Sequence, residues 1–159
     1  MSALSHLDRE GRARMVDVAA KPLTARTAVA EGAVRMSAEA FQLVADKLVS
    51  KGDVLAVAEI AGTMAAKRTA ELIPLCHPLA LDQITVEASL DEALPGVRVR
   101  AVVKTLGRTG VEMEALTGVA VACLTAYDMV KSADRGMEIT TVRLIEKTGG
   151  TRGDWHRAD

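Results

Sequence analysis

Residues 84–103 read ITVEASLDEALPGVRVRAVV, and this stretch decides the fold class of the chain. Apolar side chains alternate with polar ones from residue 84 to 90 and again from 97 to 103, on either side of the turn Leu94-Pro95-Gly96. Strict alternation is typical of a strand with one buried face, and two such strands around a Pro-Gly turn predict an antiparallel hairpin. The buried face of this hairpin needs helices to cover it.

The segments on either side of the hairpin supply these helices and two further strands. Residues 24–36 predict a strand with a bulge at Gly32, and residues 139–145 predict the last strand. Ser37 predicts the N-cap of a helix that ends at Gly52 with Lys51 in its last turn. Further helices are predicted over residues 53–72 and 111–134. This order predicts an α+β fold, a ferredoxin-like plait whose four-stranded antiparallel sheet carries helices on one face.

Length and composition predict a single domain over residues 1–159, with an N-terminal arm at 1–22 and a flexible C-terminal tail at 148–159. The chain is 49% hydrophobic but only 2% aromatic, so an aliphatic core of small side chains is expected. Helix 53–72 contains small residues that would allow close packing of another backbone: Ala58, Ala61, Gly62, Ala65 and Ala66.

Charge and cysteine usage exclude several function classes. The net charge of −1 provides no basic field for nucleic acid or an anionic membrane, and no apolar run of membrane-spanning length is expected. Cys76 and Cys123 form no C-x-x-C pair, which favours a reducing, cytoplasmic compartment. His6, His77 and His156 are too scattered to predict a metal site, so no metal or other cofactor is expected.

The segment Leu72-Ile73-Pro74-Leu75-Cys76-His77-Pro78-Leu79 is the strongest candidate for the wall of a site. Proline restricts its own φ and favours an extended conformation in the residue before it, so the preceding helix must end near Leu72. The alternative is a buried cysteine beside a satisfied histidine in a tight loop.

Asp128 and Lys131 are three positions apart on the predicted helix 111–134 and are therefore neighbours on its surface. A solvated ion pair is one interpretation. Because Lys131 borders the apolar stripe, its partly desolvated ammonium is also a plausible proton shuttle.

Glu112 and Glu114 lie where the helix dipole favours acidic side chains, although Glu112 falls within the apolar stripe. Lys51 alone is interpreted as a cation at a helix C-terminus, and Lys67 and Arg26 are individually unremarkable. A continuous helix would place Glu114 roughly 21 Å from Asp128, too far for both to contact one small substrate. Two antiparallel helices across a two-fold axis would bring these ends together in a shared site.

Several motifs, taken together and in order, resemble the cyclic pyranopterin monophosphate synthase family, the molybdenum cofactor biosynthesis protein C family. The resemblance extends from about His6 to Gly153 and rests on five motifs: Gly11-Arg12-Ala13-Arg14-Met15-Val16-Asp17-Val18, Lys51-Gly52-Asp53-Val54-Leu55, the 72–79 segment, Gly110-Val111-Glu112-Met113-Glu114-Ala115-Leu116-Thr117 and Tyr127-Asp128-Met129-Val130-Lys131.

The resemblance implies a homohexamer, a trimer of dimers with its site at the dimer interface. It implies conversion of cyclised dihydro-GTP, a small-molecule substrate, to cyclic pyranopterin monophosphate with release of diphosphate. Such chemistry requires placed acids, bases and cations but no redox cofactor.

The resemblance also assigns roles to individual residues. Asp128 and Lys131 would be the central acid/base pair, with Lys51 as a further acid or base. The remaining residues would contact or support the substrate: Leu75, Cys76, His77, Glu112, Met113, Glu114, Arg26 and Lys67. Cys76 would be positional rather than nucleophilic. The alternative from another class is a non-catalytic ferredoxin-like module that uses its small-residue helices to form an oligomer.

Overall fold

A computed structural model describes residues 10–158 of the chain. Residues 1–9, which include His6 and the first part of the expected arm, lie outside the described residues. The elements in chain order are β1 (Thr24–Arg35), α1 (Ala38–Ala45), α2 (Val54–Lys67), α3 (Thr69–Leu72), β2 (Gln83–Asp91), β3 (Gly96–Gly107), α4 (Glu112–Val130), β4 (Glu138–Thr148) and β5 (Trp155–His156).

The hairpin predicted from residues 84–103 is confirmed as β2 and β3, which pair antiparallel with Val86 opposite Ala101 and Ala88 opposite Val99. The alternating apolar residues of β3 are buried, namely Val97, Val99, Ala101 and Val103, whereas Arg98 and Arg100 between them are exposed. Helix α4 packs on β1, β3 and β4, and α2 packs on β2 and on α4. The core therefore lies between the helices and one face of the sheet.

The predicted four-stranded sheet is wrong by one strand. The sheet has five strands in the order β2-β3-β1-β4-β5, and every neighbouring pair is antiparallel. Strand β5 comes from the segment predicted as a tail, and it places Trp155 opposite Lys147 and His156 opposite Glu146. Arg157 donates a hydrogen bond to the Leu144 carbonyl and stacks 5.7 Å from the Trp155 ring centroid.

Three helices differ from the sequence prediction, and the first difference is that α4 ends at Val130 rather than at residue 134, which makes Lys131 its C-cap. Helix α1 begins after the predicted N-cap Ser37, whose side chain accepts from the Ala40 N–H, but it ends at Ala45 rather than at Gly52. Lys47 adopts φ 56°, a left-handed conformation that a continuing helix cannot contain, so Lys51 lies in a loop and not in a helical turn. The helix predicted over residues 53–72 is interrupted at Arg68, which separates α2 from α3.

The bulge predicted at Gly32 is also displaced. The pairing of β1 with β4 shifts register between Val29 and Ala30 and again between Ala33 and Val34, on both sides of the glycine. Gly32 itself lies under α4, where an added Cβ would collide with the side chain of Val119. The glycine therefore serves helix packing.

Helix α4 is long and apolar enough, by length and composition, to cross a membrane, which the sequence analysis did not expect. One face of this helix nevertheless forms the centre of the core, where Ala115, Val119, Ala122 and Ala126 are fully buried, whereas Leu124 on another face is exposed. Packing in the core explains this composition.

Close contact between α2 and α4 confirms the role predicted for the small residues. A Cβ added at Gly62 would lie 2.8 Å from the Gly118 carbonyl oxygen and 3.1 Å from the Ala122 Cβ. Because that oxygen belongs to the backbone of α4, an extra methyl group would force the two helices apart.

We therefore expect Gly62→Ala to lower the free energy of unfolding by about 1–3 kcal/mol, despite the better helix propensity of alanine. Urea denaturation would measure the change. Ala38→Ser adds one heavy atom on the exposed side of α1 and is expected to change stability by less than about 0.5 kcal/mol. Unchanged stability of Gly62→Ala would show that this contact is not tightly packed.

Candidate active site

A cavity of about 340 Å³ opens beside the N-terminal end of α4, between the segment before β1 and the turn after β4. It gathers most of the site residues predicted from sequence. Those that line it are Arg26, Leu75, Cys76, His77, Glu112, Met113 and Glu114.

The 72–79 segment forms one wall of this cavity. Helix α3 ends at Leu72 and Ile73 is extended, as the following proline predicts. The Cys76 N–H donates to the Ile73 carbonyl, which closes a turn and presents Cys76 and His77 to the cavity.

The first turn of α4 supplies the acidic side of the cavity. Glu114 is only 4% exposed, and burial raises the pKa of its carboxyl group, with a smaller contribution from Glu112. Within residues 10–158, no cation forms an ion pair with Glu114. An ionised carboxylate buried without an ion-pair partner is costly, which is the physical reason that the pKa of Glu114 is raised.

Neither cysteine has the properties of an activated nucleophile. Burial, followed by the charge of Glu114, raises the pKa of Cys76, and burial raises that of Cys123 to about 12. Both side chains therefore remain thiols near neutral pH, because reactivity requires the thiolate.

Arg26 lines the cavity from β1, and two of its side-chain donors form hydrogen bonds with backbone carbonyls. Its Nε donates to the Gly107 carbonyl at 3.0 Å and its Nη2 to the Arg108 carbonyl at 3.1 Å. Gly150 lies so close that an added Cβ would collide with the guanidinium. The side chain thus joins the β3–α4 turn to the glycine turn after β4.

A second cluster forms at the other end of α4. Lys131 Nζ lies 2.6 Å from Asp128 Oδ1, and Lys51 Nζ lies 2.6 Å from Asp128 Oδ2 and 2.9 Å from the Asp128 carbonyl oxygen. All three side chains are about half exposed. Hydrogen bonds from Lys131 and then Lys51 lower the pKa of Asp128 to about 2, so its carboxylate stays ionised near neutral pH. Lys51 is therefore not the C-terminal cation of the helix predicted to end at Gly52, because its bond to the Asp128 carbonyl places it at the C-terminus of α4 instead.

The two clusters are separated by the length of α4. Because the helix is continuous from Glu112 to Val130, its rise of about 1.5 Å per residue places Glu114 roughly 21 Å from Asp128. Lys67 belongs to neither of these two groups of residues. It borders a smaller cavity of about 130 Å³ beside α3, which shares Glu114 with the main cavity.

Several cavity residues were not predicted from sequence: Val16, Val18, Lys21, Arg108, Lys147 and Arg152. The glycines around Arg108 were a signal for a shaped turn. The other residues come from segments before β1, at the end of β4 and after it, and only the sheet order brings these segments together.

Comparison with known proteins identifies what the chain resembles. A family model described as the MoaC family matches residues 15–150. A cyclic pyranopterin monophosphate synthase of Cereibacter sphaeroides is 63% identical over 153 residues, which cover 96% of each chain. The Brucella ovis protein of the same name is 58% identical over 156 residues, covering 98% of this chain and 94% of that protein.

Proposed function

Because the chain belongs to the MoaC family, whose relatives above are named cyclic pyranopterin monophosphate synthase, we propose that it converts cyclised dihydro-GTP to cyclic pyranopterin monophosphate and releases diphosphate. The chain is an enzyme of molybdenum cofactor biosynthesis with lyase activity. A non-catalytic binding module, the alternative weighed from sequence, does not account for this similarity over nearly the whole chain.

The observation that carries the mechanism is that charged side chains collect at both ends of α4, which one helix keeps roughly 21 Å apart. The start of the helix holds the buried carboxylate of Glu114 without an ion-pair partner in the described chain, and its end holds two exposed lysines around one carboxylate. We propose that a second copy brings its Lys51–Asp128–Lys131 cluster to this cavity. Across a two-fold axis, antiparallel α4 helices would complete two equivalent sites.

In this arrangement the lysines act as proton donors and acceptors. Asp128 stays ionised because of its low pKa, and it positions both ammonium groups. His77, Met113 and Glu114 hold the substrate, Glu112 supports them, and Leu75 and Cys76 shape the wall. Lys67 and the free donors of Arg26 bind phosphate oxygens.

Exposed apolar side chains support assembly into a homohexamer, a trimer of dimers. Val57, Ile60 and Met64 form a stripe at helical spacing on α2, and each is at least 40% exposed. An unpartnered stripe of this kind favours contact with another protein surface, for which we propose a second copy.

We also infer the fold type and the cellular location. The order β2-β3-β1-β4, with helices between β1 and β2 and between β3 and β4, supports a ferredoxin-like plait extended by β5. The free thiols of Cys76 and Cys123 favour a cytoplasmic location.

The decisive experiment mixes the purified chain with cyclised dihydro-GTP and measures diphosphate and the cyclic product together. We expect both in equal amounts. No diphosphate from a folded, oligomeric sample would contradict the proposed function.

We further expect activity to be independent of a tightly bound metal. Within residues 10–158, no group of three or more His, Cys, Asp or Glu side chains is arranged to hold a metal ion. Elemental analysis and assays before and after treatment with a chelator would test this. Stoichiometric metal, with activity lost on its removal, would overturn it.

A further inference from the structure

Residues 16–21 form one wall of the cavity although they belong to no helix or strand. Val16, Val18 and Lys21 face the cavity from this segment. Two local hydrogen bonds shape it: the Ala19 N–H donates to Asp17 Oδ1 at 2.8 Å, and the Lys21 N–H donates to the Val18 carbonyl at 3.0 Å. These bonds bend the segment but do not attach it to the rest of the fold.

Arg108 provides that attachment. Its Nη1 donates to the Ala19 carbonyl at 2.6 Å and to the Lys21 carbonyl at 2.5 Å. Among the described residues, these are the hydrogen bonds that join residues 16–21 to the body of the protein. Both bonds come from the single nitrogen Nη1, so the loss expected for lysine at this position comes from its shorter reach and not from the planar shape of the guanidinium.

Arg26 fixes the backbone from which Arg108 projects. Its bonds to the Gly107 and Arg108 carbonyls hold the turn between β3 and α4. Arg26 therefore orients Arg108, and Arg108 holds the N-terminal segment. Both residues act on backbone carbonyls within the protein.

We propose that Arg108 is a positioning residue that fixes residues 16–21 as a cavity wall and thereby places Lys21 for the phosphates of the substrate. This inference deepens the proposed function and rests on it. A wall that binds the ground state and the transition state equally affects KM more than kcat. Loss of Arg108 is therefore expected to weaken substrate binding while the Lys51–Asp128–Lys131 cluster stays intact.

The test compares Arg108→Ala, Arg108→Lys and the control Arg98→Ala in the full-length protein. Arg98 lies within β3, the strand that precedes Arg108. It forms an ion pair with Asp91 and does not line the cavity. Hydrogen exchange of the backbone amides of residues 16–21 is measured without substrate, and kcat and KM are measured by diphosphate release.

For Arg108→Ala we expect faster exchange confined to residues 16–21 and a KM raised about tenfold, with kcat changed less than about threefold. Arg108→Lys is expected to lie between this variant and the wild type, and Arg98→Ala to match the wild type. If Arg108→Ala does not fold, Arg108→Lys decides by the same two measurements.

Wild-type exchange combined with a raised KM would overturn the proposal, because Arg108 would then bind substrate directly. Wild-type values in both measurements would overturn it as well. Failure of the proposed function is distinguishable, because the wild-type protein would then release no diphosphate while the exchange measurement would still show whether Arg108 holds the segment.

Discussion

Lys131→Ala is expected to lower the rate of diphosphate release by about 10²–10⁴-fold, the usual contribution of a positioned acid or base. The oligomer should remain folded, because the Lys131 side chain is about half exposed and fills no part of the core. Steady-state kinetics and thermal melts on the same samples measure both effects. Lys51→Ala is expected to act in the same direction.

Two further variants separate charge from proton transfer. Lys131→Arg keeps a cation beside Asp128, but its guanidinium cannot release a proton near neutral pH. We therefore expect this variant to be as inactive as Lys131→Ala. Asp128→Asn removes the carboxylate that positions both lysines and is expected to lose most turnover. Because the pKa of Asp128 is about 2, no loss of activity on acidification above about pH 4 can be assigned to protonation of its carboxylate.

The matched control is Lys47→Ala, which breaks a similar exposed ion pair with Asp53, 2.9 Å long. It is expected to retain wild-type turnover. Near-normal turnover in Lys131→Ala or Asp128→Asn would remove that residue from the catalytic assignment. Restored turnover in Lys131→Arg would show that the site needs charge rather than a proton.

Mixing two inactive variants is expected to restore activity if each site is built from two subunits. Glu114→Gln alters the start of α4 and Lys131→Ala its end, and the continuous helix keeps these positions roughly 21 Å apart within one subunit. In randomly mixed oligomers, about one quarter of the shared sites would contain neither lesion, so recovery should approach about one quarter of wild-type activity.

Subunit exchange must first be confirmed by mass spectrometry of differently tagged chains. The control mixes Lys131→Ala with Asp128→Asn, which alter the same end of α4. Because each shared site takes both residues from one subunit, every site in this mixture contains one of the two changes. This mixture should stay inactive. If verified mixed oligomers of Glu114→Gln and Lys131→Ala also stay inactive, the shared site is wrong, although the catalytic assignment of Lys131 could stand.

The sheet and the helix order were predictable because they depend on local patterns. Alternation over residues 84–103 identified the hairpin, and Ser37 marked the start of α1. The early end of α1 was missed because Lys47 adopts a left-handed conformation that non-glycine residues seldom take, and Gly52 gave the more obvious stop signal. Strand β5 was missed because a two-residue strand among glycines has no periodicity to detect.

The candidate site was less accessible to reasoning from residues alone. Spacing predicted the Asp128–Lys131 pair, but Lys51 joins it through a long-range contact that no local pattern contains. Arg108 was missed because its hydrogen bonds reach residues 19 and 21, far away in the chain. The continuity of α4 from Glu114 to Asp128 could be predicted, and with it the separation of the two clusters, although the helix ends at Val130 rather than at residue 134.

The chain has a single tryptophan, and it lies on the short strand at the edge of the sheet rather than in the core. Intrinsic fluorescence of this protein therefore reports the docking of the last residues against β4, with Arg157 over the ring as a nearby influence. Far-ultraviolet circular dichroism instead follows the helices. A fluorescence transition that precedes the loss of helix on heating would indicate that this edge detaches before the core unfolds, a distinction that a single-probe melting curve would hide.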